Sequence, residues 1–187
     1  MSIEKNLRSP SLQHLAKLLG DQHEETASHI LKLRDSRPPR VFEAREFAVA
    51  MFKGVPEDVV LRQAQALPDS NRQQTALKRT ALEIIPLAGQ FMRQHDLKWF
   101  TKADEIVFQA TRNAQIPMRP LGFGCVDGEL KWIWVQVWKT ETLTPRQFSF
   151  WATVFLRAAT AREPDVSGFL WLEMSRPKGK DARELQV

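Results

Sequence analysis

The sequence predicts an α+β fold: a helical N-terminal half followed by a small sheet, built as hairpin, helix and strand and covered by that helix. Three observations carry this expectation. Helix caps and apolar residues three to four apart fill the first part of the chain, and alternation with a period of two takes over after Pro117. All six Trp lie beyond position 98, and of the eleven Phe only Phe42, Phe47 and Phe52 precede residue 91. The composition shift divides the chain into a helical region, 1–97, and an aromatic-rich α+β region, 98–187, with its own core. The first two helices read as an appendage, with a break near 35–41 at Pro38-Pro39.

Ser11 to Leu19 places Leu12, Leu15, Leu18 and Leu19 on one helical face, and Gly20 stops it. Asp21-Gln-His-Glu24 has the pattern of a capping box, in which an N-cap oxygen and an N3 carboxylate satisfy orphan N–H groups reciprocally. Ala27, Ile30, Leu31 and Leu33 continue that second helix. A third runs from about Phe42 to Lys53 and ends at Gly54; a fourth opens at Pro56 and stops before Pro68. Ser70-Asn-Arg-Gln73 is a further capping box, opening a long helix through Leu77, Ile84, Ala88 and Met92 with a kink expected at Pro86. Thr101 is expected to cap a sixth helix containing Ile106, Val107 and Ala110. Asp127-Gly128 between alternating apolar runs predicts a two-residue hairpin. After it, Leu130, Trp132, Trp134, Gln136 and Trp138 share one face of a strand. Thr144-Pro145-Arg146-Gln147 combines N-cap, N1 proline and N3 glutamine, and Gly168 to Met174 alternates as a last strand.

Composition removes several classes of function. The net charge of +5 on 187 residues divides into +3 before residue 101 and +2 after it, so the excess is not one patch. It narrows to two basic loops, one with Arg34, Arg37 and Arg40, the other with Lys178 and Lys180. No apolar run approaches the ~18–20 residues of a membrane span, and the first residues, Met-Ser-Ile-Glu-Lys, lack a signal h-region. The lone Cys125 excludes an internal disulfide and reads as a buried small hydrophobe before the tight turn. His14, His23, His29 and His95 have no ligand spacing, so neither a metal nor a cofactor is expected.

Two resemblances bear on function. Leu15-Ala16-Lys17-Leu18-Leu19-Gly20 followed by a capped helix resembles the opening of a helix-turn-helix. Ala27 and Ile30 fall one residue late for that motif, and Glu24 and Glu25 would approach phosphates with the wrong sign. Residues 101–175, with Val137-Trp-Lys139-Thr140 closing a strand and Gln147 on the next helix, resemble in layout a degenerate PD-(D/E)XK nuclease core. The resemblance implies a site in which two carboxylates and a lysine bind divalent metal and activate water. Lys139 stands at the lysine position, but Val137 replaces the acid two residues before it, and Gly122-Phe123-Gly124 supplies none on the preceding strand. An enzyme of this layout would need displaced acids from Asp127, Glu129 or Glu173, with Lys139 and Glu173 as the catalytic candidates.

The reading that fits best is a cytoplasmic, non-enzymatic binding protein with no membrane partner. It associates with nucleic acid by phosphate attraction to Arg34, Arg37, Arg40, Lys178 and Lys180. A protein-interaction adaptor or homo-oligomer using the face of Trp132, Trp134 and Trp138 is the remaining class.

Overall fold

A computed structural model describes residues 43–111, 114–137, 143–166, 168–175 and 182–187. The two helices expected before residue 42, the candidates Arg34, Arg37 and Arg40, and Trp138, Lys139, Lys178 and Lys180 lie outside the described residues. The described chain is α+β, with four helices and six strands among these residues. In order they are α1 (Arg45–Phe52), α2 (Glu57–Gln65), α3 (Arg72–Gln94), β1 (Leu97–Lys102), β2 (Ile106–Thr111), β3 (Ala114–Met118), β4 (Gly122–Val126), β5 (Glu129–Gln136), α4 (Pro145–Arg162) and β6 (Gly168–Glu173). They fall into two compact units that interleave along the chain.

The larger unit holds α1, α2, α3 and a four-stranded sheet of order β1-β4-β5-β6. β1, β4 and β5 run antiparallel, while β6 pairs parallel with β5, from Lys131↔Gly168 to Gln136↔Glu173. Strand alternation sorts the sheet into two faces. Val126, Ile133, Val135, Val137, Leu172 and Met174 join Ala48, Phe52, Val60, Ile84, Ile85 and Phe91 in one buried cluster. The aliphatic helices and one face of the sheet therefore share a core, in which each fully buried large side chain contributes about 1.5–3 kcal/mol. The other face carries Trp99, Phe123, Trp132, Trp134, Gln136, Phe169, Trp171 and Glu173, by register across the four strands.

The smaller unit contains the β2–β3 hairpin and α4. α4 begins as its sequence dictates. Thr144 Oγ1 accepts from Gln147 N–H, and the Gln147 side chain accepts from Thr144 N–H at 3.0 Å, a capping box with Pro145 at N1. Its Trp151 and Phe155 rings stack at 4.9 Å and are fully buried. Arg162 Nη1 donates to the Glu105 carbonyl at 3.1 Å, tying the end of α4 to the chain just before β2.

Several expectations are corrected. Residues 97–111 form no helix: β1 and β2 occupy the place of the helix expected from Thr101. The N-cap of α3 is Asn71, one residue after Ser70; its Oδ1 accepts from both Gln73 and Gln74 N–H, while Ser70 Oγ donates to the Gln74 side chain. An Asx side chain reaches both orphan donors from Asn71, so the cap moves there. As the sequence indicates, Pro86 falls inside α3, which spans Arg72–Gln94. Cys125 is half-buried, because its strand face holds the exposed Trp99 opposite it.

Candidate functional site

β5 has two ends with different chemistry. At its start, the Asp127-Gly128 turn has φ of 53° and 84°, the left-handed pair that a two-residue hairpin requires. Asp127 also fastens this turn to the end of α3. Its Oδ2 lies 2.7 Å from His95 Nδ1, its Oδ1 accepts from Asp96 N–H at 2.9 Å, and its own N–H donates to the Asp96 carbonyl at 3.0 Å. The His95 hydrogen bond, and then that from Asp96 N–H, hold the Asp127 carboxyl below the usual carboxylate range. His95 in turn stacks on Phe91, with ring centroids 4.7 Å apart. Glu129, two residues on, pairs with Lys131 at 2.8 Å.

The other end, where parallel β5 and β6 finish together, gathers buried polar groups. Gln136 and Glu173 are register partners on the tryptophan face, fully and almost fully buried. Trp171 Nε1 donates to Glu173 Oε2 at 3.0 Å, and the Trp171 ring lies parallel to Trp134 at 6.1 Å. The Arg45 guanidinium stands 5.6 Å from the Trp134 ring centroid, a cation–π arrangement. β4 ends its pairing at Gly122↔Ile133, so among the described residues the last residues of β5 pair with β6 alone.

The chain after residue 181 returns to the same end. Glu173 and Gln186 exchange backbone hydrogen bonds of 2.9 and 3.0 Å, and Glu184 N–H donates to the Ser175 carbonyl. Arg183, whose side chain is 4% exposed, acts as a clamp. Its Nε donates to Glu83 on α3 at 2.7 Å, and its Nη1 donates to the carbonyls of Val137 at 2.9 Å and Met174 at 2.6 Å. A planar guanidinium can serve three acceptors at once, which an ammonium at that place would do less well.

The sequence candidates are therefore sorted by place. Asp127 and Glu129 lie at the turn, whereas Glu173 lies beside Gln136. Glu129 and Gln136, the two ends of β5, are seven residue steps apart, about 23 Å at ~3.3 Å per residue. No single ion or water bridges the turn acids and Glu173 across that length. Among the described residues there is no group of three or more His, Cys, Asp or Glu placed to hold a metal ion. Trp132 and Trp134 are 1% and 3% exposed, so their rings are not presented to solvent; Trp99, at 44%, is. Among the described residues, no helix is long and apolar enough to cross a membrane.

Sequence reasoning missed Gln136, Arg45 and Arg183. Gln136 was findable as the polar residue in the otherwise apolar row Leu130, Trp132, Trp134. Nothing local distinguishes Arg183 from a solvated tail residue. No protein-family model matches the chain, and no curated protein matches it.

Proposed function

We propose that the protein is a non-enzymatic binding protein that associates with nucleic acid through basic segments. One observation carries this reading. The net charge of +5 is concentrated in a few short segments of the sequence. Two of these supply most of it: Arg34 to Arg40 carries +2, and Arg176 to Asp181 carries another +2. Surplus positive charge in short Pro- and Gly-containing segments suits phosphate contact without base reading.

The test is an electrophoretic shift titration with duplex DNA and with single-stranded RNA at two salt concentrations. Binding should weaken steeply with salt. Lys178→Ala with Lys180→Ala, and separately Arg34→Ala with Arg37→Ala and Arg40→Ala, should each flatten the salt dependence, by about one unit of slope for each phosphate no longer neutralised. No binding to either probe at low salt removes the proposal.

A further inference from the structure

The four-stranded sheet has one edge closed by its own chain and one open. At the β6 edge Gln186 bridges to Glu173. At the other edge stands β1, and among the described residues no strand lies beyond it. Lys98, Trp99, Thr101 and Lys102 of β1 are exposed, Trp99 to 44%. An edge with open N–H and C=O groups is a template for a further strand. Which groups are open follows from the inner side of β1. Ala103 N–H donates to the Leu121 carbonyl, and a Cβ at Gly124 or Gly122 would meet the carbonyl oxygens of Trp99 and Thr101. Trp99, Thr101 and Ala103 thus turn their backbone groups towards β4. By alternation, Phe100 and Lys102 turn theirs outward.

Charge selects among the ways this edge can meet a second copy of itself. With Phe100 opposite the partner's Phe100, Lys98 faces the partner's Lys102 and Asp96 faces the partner's Asp104. With Lys102 opposite the partner's Lys102, that lysine faces itself. Both registers set like charges directly across, which is destabilising. With Phe100 opposite the partner's Lys102, Lys98 faces the partner's Asp104, Thr101 faces the partner's Thr101, and Trp99 faces the small Ala103 of the partner. Opposite charges and Thr–Thr pairs both stabilise antiparallel strands. Lys98 otherwise pairs with the exposed Asp96 at 3.8 Å, a surface contact of little strength, and Lys102 keeps its bond to Glu46 of α1.

We propose that β1 is the pairing edge of a symmetric dimer, in which β1 of a second copy lies antiparallel to it across a two-fold axis at Thr101. The Phe100 and Lys102 backbones of the two copies then bond each other in both directions, and the sheet continues from one copy into the next. The patch is self-complementary, as a two-fold interface requires. Trp99, whose ring stands edge-on to Phe123 at 6.1 Å, covers the partner's Ala103 and Thr101 and loses its exposure. The dimer stands independently of the nucleic-acid reading, since none of these residues belongs to the basic segments.

The test is sedimentation velocity of the full-length protein over a dilution series, which should show monomer and dimer in exchange. Lys98→Glu should raise the dimer dissociation constant by about tenfold, since each dimer holds two such pairs, and adding Asp104→Lys should restore it. Register is read by cross-linking, with Cys125→Ala as background. Facing Thr101 residues in a non-hydrogen-bonded pair have Cα atoms about 4.5 Å apart, within reach of a disulfide. Thr101→Cys should therefore give a covalent dimer on mild oxidation, whereas Trp99→Cys, which faces the partner's Ala103, should not. A chain that stays monomeric throughout the dilution series overturns the proposal and leaves this edge to a different protein. A dimer that forms no disulfide at position 101, or that links equally well at position 99, overturns it too.

Discussion

Asp127 illustrates how one side chain does two jobs. It takes the left-handed conformation the turn requires, and it fastens the turn to His95 and Asp96. Because its carboxyl is held below the usual range, its contribution is complete above about pH 4 and is lost as pH falls through the depressed folded value. Asp127→Asn tolerates the turn but loses the charge, so it should melt below wild type at neutral pH. That difference should shrink on acidification, as thermal melts between pH 6 and 2 would show. Two glycines separate space from flexibility. A Cβ at Gly124 would run into the Trp99 backbone carbonyl, which cannot move without breaking the β1–β4 ladder. A Cβ at Gly89 meets the tip of Glu57, a carboxylate free to swing away from Arg93. Gly124→Ala should therefore cost about 1–3 kcal/mol, and Gly89→Ala should lie within about 1 kcal/mol of wild type, since helix propensity favours Ala. Chemical denaturation distinguishes the two.

The elements show which signals of a sequence survive folding. Thr144-Pro145-Arg146-Gln147 becomes the capping box of α4, and Asp127-Gly128 becomes the hairpin turn, because both depend on neighbours within four residues. Thr144→Ala should cost about 1 kcal/mol through the lost cap, read as a lower denaturation midpoint. The stretch 97–111 misleads for the opposite reason. Ile106, Val107 and Ala110 have helical spacing, yet Ile106 is buried and Val107 is 49% exposed, the alternation of a strand. The β-branched and aromatic content of Ile106-Val107-Phe108 was the better guide, but cross-strand pairing with Met118 and Pro117 decided it, and that partner is not local. Pro86 in α3 removes the N–H that would reach the Leu82 carbonyl. Pro86→Ala should accordingly raise stability, by about 1–3 kcal/mol, in the same denaturation experiment.

For the whole molecule, the parallel pair β5 and β6 settles where the buried polar groups collect. Its carboxyl end brings together α1 through Arg45, α3 through Glu83, and the chain after residue 181 through Arg183. The alternating row of β5 indicated that Gln136 shares a face with Trp132 and Trp134, but nothing near Gln136 or Glu173 in the sequence announces that they are neighbours. Arg183 and Glu83 are 100 residues apart, a separation no periodicity can reveal. Arg183→Met should cost about 2–3 kcal/mol, since it leaves the Val137 and Met174 carbonyls short of a donor. Hydrogen exchange should then quicken at Glu173, Glu184 and Gln186 before it does in α3, and uniform exchange across both would argue against a clamp.

The same clamp bears on how the protein is made. The larger unit draws its sheet from residues before 105, from 122–136 and from 168–173, and it is fastened by Arg183. During synthesis β5 must therefore wait, its parallel edge open, until the last of these stretches leaves the ribosome. An open edge is an invitation to wrong partners. A nascent chain halted before residue 168 is expected to be the form most in need of a chaperone, although most of its core residues have already been made.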